Sequence, residues 1–219
     1  MSYLLAIDTT AGTSVALLQD GHVIKQVQSE LGLKHAEQIG NSIAEVFTAT
    51  GIRPAAVKHV AIGRGPALFT GLRVGIAAGL MFAEAVGAEI IGVVSHDAIA
   101  LNLYSQDGNL PAGPLLIHTD ARRGEVYWAL YGGLDSQHLP ELLAGPSVGK
   151  YDEVVAELSA QHGSLVERTG GATAEWVARV AQLQLAAGTS SGDATALYLR
   201  APDAALPKPN QQFGKRVSG

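Results

Sequence analysis

Three short segments bring carboxylates, hydroxyls or arginines beside glycines, in the order that anion and metal chemistry uses. The first is Asp8-Thr9-Thr10-Ala11-Gly12-Thr13-Ser14. Its hydroxyls, its glycine and successive backbone N–H groups can form an anion nest, and Asp8 can hold a magnesium ion through water. A plain tight hairpin with Gly12 at positive φ explains the same residues, and the loop has no lysine to answer phosphate charge. Asp120 heads the second segment, where an apolar run, Leu115–Thr119, gives way to Ala121-Arg122-Arg123-Gly124. Asp8, Thr9, Thr10, Gly12 and Asp120 are therefore the candidate phosphate-binding set. The third segment, Gly63-Arg64-Gly65-Pro66-Ala67-Leu68-Phe69-Thr70-Gly71-Leu72-Arg73, feeds glycines into a helix N-terminus. Free N–H groups and the helix dipole attract anions there, and Arg73 adds charge. It matches neither a Walker A loop nor G-x-G-x-x-G, because its sixth position is Leu68. Helix geometry and close packing account for it equally well.

Other chemistries are excluded by residue type. With no cysteine, disulfides, zinc–thiolate sites, iron–sulfur clusters and a cysteine nucleophile are ruled out. The seven histidines never fall at i, i+3 or i, i+4, so no helical two-histidine metal site is expected, and a metallopeptidase fails on that count. Gly145-Pro146-Ser147-Val148-Gly149 has the spacing of a nucleophile elbow, but only His162 follows it, with Asp152 and Glu157 too close for a separated triad.

The elements that must position these residues follow from periodicity. Tyr3–Ile7, Ser14–Gln19 and His22–Gln28 read as three strands, the last two joined by the Asp20-Gly21 turn. A helix over 36–50 carries Ile39, Ile43, Val46 and Phe47 on one stripe and stops at Gly51. Val57–Gly63 is a buried strand, and Thr70 is placed to cap a helix running to Val86. Glu89–Val94 is a strand, and Ser95 is placed to cap a helix to Tyr104. The second half reopens as the first did: a strand ending in an aspartate, a small polar turn, then Glu125–Tyr131 with a turn at Gly132-Gly133. Helices over 152–160 and 173–187 follow. This repeat predicts an α/β chain of two similar lobes, 1–104 and 105–200, with a proline-rich tail over 201–219 expected to be mobile.

At 47% hydrophobic and 16% charged residues, with mean hydropathy +0.18, the 219-residue chain has the composition of a packed domain. Its net charge of −5 argues against gripping nucleic acid unaided. Arg122, Arg123 and the Lys208–Arg216 stretch are the basic candidates for any RNA contact. The N-terminus reads as a first strand with no signal segment, and the most apolar run, Val74–Val86, is too short for a membrane span. Cytosol is the expected location, with no membrane contact.

The helix beyond the glycine-rich turn is unusual. Gly71, Gly75, Gly79 and Ala83 recur every fourth residue, although glycine inside a helix costs ~1 kcal/mol relative to alanine. Such a bare stripe makes sense where another backbone approaches closely. It is expected to serve a partner, with the Ile39/Ile43/Val46 helix alongside, unless contact within the lobe already explains it.

Taken together, these motifs closely resemble the TsaB (YeaZ) family. The resemblance rests on Leu5-Ala6-Ile7-Asp8-Thr9, His35-Ala36-Glu37, Gly63-Arg64-Gly65-Pro66 with Phe69-Thr70-Gly71-Leu72-Arg73, Asp120-Ala121-Arg122-Arg123-Gly124-Glu125-Val126-Tyr127 and Tyr198-Leu199-Arg200. It implies a two-lobed fold of the actin/Hsp70/sugar-kinase (ASKHA) type. It also implies a non-catalytic subunit that binds and activates TsaD, the larger relative that carries metal and threonylcarbamoylates N6 of a tRNA adenosine. TsaE, a P-loop ATPase, docks on the pair, tRNA is met only through the complex, and a homodimer forms when TsaD is absent. The implied pairing surface takes His35, Gln38, Ile39, Ser42, Ile43 and Val46 from the first helix. From the second it takes Leu72, Gly75, Ile76, Gly79, Leu80 and Ala83. No catalytic residue, metal or cofactor of its own is implied, with ATP or ADP placed, if anywhere, at the TsaD interface. The family usually has glycine and serine where this chain has Ala67 and Leu68, which weakens anion contacts at that turn. The alternative is a small ATP-dependent kinase of the same fold.

Overall fold

The computed structural model describes residues 2–29, 35–106 and 113–200. The Lys208–Arg216 stretch and the rest of the 201–219 tail lie outside the described residues, as does the side chain of His35.

Strands β1 (Tyr3–Asp8), β2 (Thr13–Gln19) and β3 (His22–Ser29) form an antiparallel meander. After helix α1 (His35–Thr50) and a single 3-10 turn at Pro54–Ala56, β4 (Val57–Gly63) pairs parallel with β1. Helix α2 (Phe69–Val86) then leads to β5 (Glu89–Val93), parallel to β4, giving the order β3-β2-β1-β4-β5. Helix α3 (Ser95–Gln106) crosses to the second half. There β6 (Leu115–Asp120), β7 (Glu125–Leu134) and β8 (Pro140–Lys150) repeat the meander. Helix α4 (Tyr151–His162) and β9 (Val166–Thr169), parallel to β6, complete the order β8-β7-β6-β9, and α5 (Ala174–Ala187) follows. The repeat anticipated from Asp8 and Asp120 is thus one of topology.

Period-2 alternation assigns the core. Leu4 and Ala6 of β1 face one side of their sheet, while Leu5 and Ile7 face the other, and all four are buried. The outer side packs under α1 and α2, with Phe47 and Phe82 stacked at 5.5 Å between the helices. The inner side packs against Val177, Ala178, Val180 and Ala181 of α5. In turn α5 lies on α3, which also packs against β6, β7 and β8. Each half therefore lends its last helix to cover the other half's sheet, and α4 closes the far side over Leu116 and Leu130.

Several local expectations change. Helix α2 begins at Phe69, with Leu68 at its N-cap and no side-chain cap, so Thr70 is already helical. Ser95 does not cap α3 by its hydroxyl, which is engaged elsewhere. Gly132 and Gly133 lie inside β7, and the turn comes at Asp135, whose carboxylate accepts from Gln137 N and Leu139 N. The strands β8 and β9 were not anticipated. Past α5 the chain returns as an extended strap across the first sheet's edge, where Gly92 N donates to Ser191 O and Leu197 N to Arg64 O. Among the described residues no helix is long and apolar enough to cross a membrane.

Candidate functional site

The Asp8 carboxylate is buried where β1 meets β4. A side chain at Gly63 would overlap it, which is why glycine ends β4. Thr10 donates to Asp8 Oδ1 from its amide (2.8 Å) and its hydroxyl (2.6 Å), and Ser95 Oγ donates to Oδ2 at 2.8 Å. Ser95 Oγ in turn accepts from Gly65 N. Burial pushes the Asp8 carboxyl above its ordinary range, opposed by these hydrogen bonds. Thr9 turns the other way, donating to Gly71 O at 2.8 Å, and Ser14 Oγ accepts from Ala174 N. Gly12 adopts φ 115°, as a tight hairpin requires. The hydroxyls of Thr9, Thr10 and Ser14 are thus spent on internal contacts, and neither Thr9 nor Asp8 lines the cleft between the lobes.

Between the lobes lies a cleft of about 630 Å³. Thr10 and Ala11 line it from the first hairpin, Pro66, Ala67 and Leu68 from the glycine-rich turn, and Asp120 and Arg122 from the second hairpin. Ser95, His96 and Ile99 of α3, Thr119, and Thr169-Gly170-Gly171 complete the wall. Asp120 is exposed and tied to its own turn, accepting from Arg122 N at 2.7 Å and pairing with the Arg122 guanidinium at 3.3 Å. At one end Ala11 touches Gly171, where any side chain would collide with it.

This donor set does not fit a magnesium–nucleotide. Both oxygens of Asp8 are satisfied and sealed away, Asp120 is held by arginine, and among the described residues no lysine lines the cleft. Among the described residues no three His, Asp or Glu side chains gather as a metal site. The cleft therefore presents one exposed carboxylate, Asp120, already paired with the arginine beside it, and no lysine among the described residues.

Ser95-His96-Asp97, expected only as a helix start, carries two buried titratable groups with shifted acidities. His96 is buried, with Nε2 3.1 Å from Thr119 Oγ1 and Nδ1 without a partner among the described residues. Burial, helped by His118, pushes its imidazole down to about 3, so it is neutral. Burial pushes Asp97 up to about 6, against the Tyr131 hydroxyl that donates to its Oδ1 at 2.7 Å and the Arg64 charge. The signal was present as a strand followed by three polar residues opening an otherwise apolar helix.

The outer helices correct the small-residue argument. The stripe Gly71, Gly75, Gly79, Ala83 faces the molecule's own sheet. A methyl at Gly75 would strike Thr9, and one at Gly79 would lie 2.7 Å from Ile62 Cδ1. Ile39, Ser42, Val46, Leu72, Gly75, Ile76, Gly79 and Ala83 are all buried in the folded chain, so they cannot themselves form an open partner surface. Of the twelve interface residues implied by resemblance, Leu80 is exposed and Gln38 and Ile43 are half-buried. The open face of α2 is Arg73, Ala77, Leu80, Met81 and Glu84, with Met81 74% exposed. On α1 the exposed positions include Gly40, Ala44 and Thr48, and nothing lies within 4 Å of a Cβ built at Gly40. A groove of about 600 Å³ runs between α2 and the strap, from Arg73 and Tyr198, hydrogen-bonded at 2.7 Å, to Asp193.

The family model for TsaD, tRNA N6-adenosine threonylcarbamoyltransferase, matches residues 27–205. The tRNA threonylcarbamoyladenosine biosynthesis protein TsaB of Escherichia coli is 39% identical over 132 residues, 58% of this chain and 54% of that protein. Its Bacillus subtilis namesake is 30% identical over 142 residues, 63% and 60% of the two chains. The crystal structure from Pseudomonas aeruginosa described as similar to peptidase YEAZ superposes with a TM-score of 0.77 at 26% identity. It covers 91% of this chain and all of that one. The chain belongs to the TsaB (YeaZ) family, within the group that the TsaD model describes. Its fold is the two-lobed α/β fold of the YeaZ structures. The matched stretches span 40%, 54% and 60% of the lengths of three curated relatives, from Mycobacterium leprae, E. coli and Mycobacterium bovis.

Proposed function

We propose that this chain is a non-catalytic subunit of the tRNA threonylcarbamoyladenosine machinery, which binds a TsaD-type transferase through the open face of α1 and α2. The observation that carries the reading is that α2 is apolar on two sides. One side is buried on the chain's own sheet, while Leu80 and Met81 project to solvent on the other. Exposed apolar side chains in mid-helix, beside the smooth Gly40-Ala44-Thr48 track of α1, suit a close helix-to-helix contact. The relatives bearing the name TsaB support the tRNA-modification assignment. The subunit's contribution to rate is then positioning: it holds the transferase in its active arrangement and makes no bond itself. The same face serves a second copy when the transferase is absent, and a TsaE-type ATPase and tRNA join the assembled pair. Any ATP or ADP sits at the partner interface, outside the interlobe cleft, and the assembly works in the cytoplasm.

The test is Leu80→Asp with Met81→Asp. Both positions are exposed, so the unfolding midpoint should hold while co-elution with the transferase on size exclusion is lost. Persistent co-elution, or threonylcarbamoyl transfer to tRNA by the purified chain alone, would overturn the reading.

A further inference from the structure

The β6–β7 turn is built from residues that a hairpin ordinarily avoids there. Arg122 and Arg123 both sit at positive φ, 65° and 59°, followed by Gly124 at 72°. Side chains with a Cβ enter that region at an energetic cost, and hairpins usually place Asn, Asp or Gly in it. The surroundings hold the conformation in place. Asp120 accepts from Arg122 N, Ala121 N donates to Glu125 O, and Glu125 N donates to Arg122 O. Beneath the turn Arg200 donates to Ala121 O and pairs with Glu125. The result is two adjacent arginine side chains at an exposed tip; that of Arg122 is 69% exposed and pairs with the equally open Asp120 carboxylate at 3.3 Å, a surface ion pair weak enough for a phosphate to displace. Arg122 lines the interlobe cleft and Arg123 follows it at the tip, on a chain whose net charge is −5.

We propose that this turn is a docking site for the backbone of single-stranded RNA, with Arg122 and Arg123 as the phosphate contacts. The inference deepens the tRNA reading above and rests on it for the choice of RNA. Planar guanidinium forks match phosphate oxygens. The cleft beside Arg122 favours RNA over an acidic peptide. Its walls set Pro66, Leu68 and Ile99 against the hydroxyls of Thr119 and Thr169, an environment suited to an unstacked base.

The test is Arg122→Asn with Arg123→Asn, since asparagine tolerates positive φ better than arginine. Binding of an unmodified tRNA transcript to the complex with the TsaD-type transferase is titrated between about 50 and 200 mM salt. Loss of two contacts should lower the log–log salt slope by about 1.4 and weaken binding roughly 25-fold near 0.1 M. The Arg122→Lys, Arg123→Lys variant should keep the slope. A purely structural role predicts a different pattern, because the asparagine variant would fold at least as stably with binding unchanged. An unchanged slope overturns the proposal. So does loss of complex assembly with the slope retained, which would make the turn a protein contact. If the unaltered chain fails to co-elute with the transferase, the partner reading falls. The same titration on the chain alone, at the low-salt end, then decides this proposal.

Discussion

Replacing Gly75 by alanine tests which way the small-residue stripe of α2 faces. The added methyl would overlap Thr9 Oγ1 and stand 2.9 Å from Thr9 Cγ2. Thr9 cannot swing aside freely, because it is buried and its hydroxyl donates to Gly71 O at 2.8 Å. Helix propensity favours alanine by ~1 kcal/mol. Against this stand overpacking of ~1–3 kcal/mol and loss of the Thr9 hydrogen bond, worth about 1 kcal/mol. The expected balance is destabilisation by ~1–3 kcal/mol. Thr9→Ala removes the obstruction, leaving the new methyl near a Cβ at 3.1 Å, a gap that a small shift absorbs. The double variant should therefore be more stable than the sum of the singles by ~1–2 kcal/mol. Urea unfolding followed by the fluorescence of Trp128 and Trp176 reads all three variants. A Gly75→Ala protein as stable as the parent, with additive behaviour in the double variant, would refute an inward-facing stripe.

Other outcomes follow from the strap and from the buried titratable groups. A methyl at Gly92 would collide with the Asp193 carbonyl, so Gly92→Ala should lift the strap and speed proteolysis between Thr189 and Tyr198. Cleavage at the parental rate would show that the strap is not held there. Asp97 binds its proton more tightly folded than unfolded, since its carboxyl rises from 3.8 to about 6. Its contribution therefore favours folding in acid and is lost as pH rises through about 6, an effect of about 3 kcal/mol. Asp97→Asn should remove that fall in stability between about pH 4 and 6. His96 has the opposite sign: with its imidazole lowered from 6.5 to about 3, its contribution is present above 6.5 and lost as pH falls towards 3. His96→Asn should flatten that acid limb, as read from unfolding midpoints against pH.

Much of the architecture was legible because periodicity and turn chemistry are local. The Asp20-Gly21 hairpin, the Ile39-to-Phe47 stripe and the second hairpin at Asp120 all follow from neighbours a few residues apart. Strand β8 escaped because Pro140 and Gly145-Pro146 read as breakers, and because an edge strand need not alternate cleanly. Strand β9 is only 4 residues long. Ser95 has a good capping side chain, but a buried carboxylate 87 positions away competes for its hydroxyl and wins. The stripe on α2 is legible, but choosing contact within the lobe over a partner takes the structure, since a helical wheel tells which residues share a side and not what lies opposite. At the cleft, Thr10 of the first aspartate turn and Asp120 of the second line the same cavity. That Asp8 is consumed by Thr10 and Ser95 depends on contacts no spacing reveals.

The exchanged inner helices govern how the two halves can move. One continuous core runs from Leu4 and Ile91 through Ala98 and Ala178 to Leu115 and Tyr131. Three keys lock the seam: Ser14 to Ala174, Tyr131 to Asp97, and Ala11 against Gly171. An enzyme that traps its substrate by rocking two jaws needs a lubricated hinge between them. Here rocking would shear close-packed alanines, so the body should melt in one cooperative step and behave as an anvil: stiff, single and shaped in advance for whatever is pressed against it.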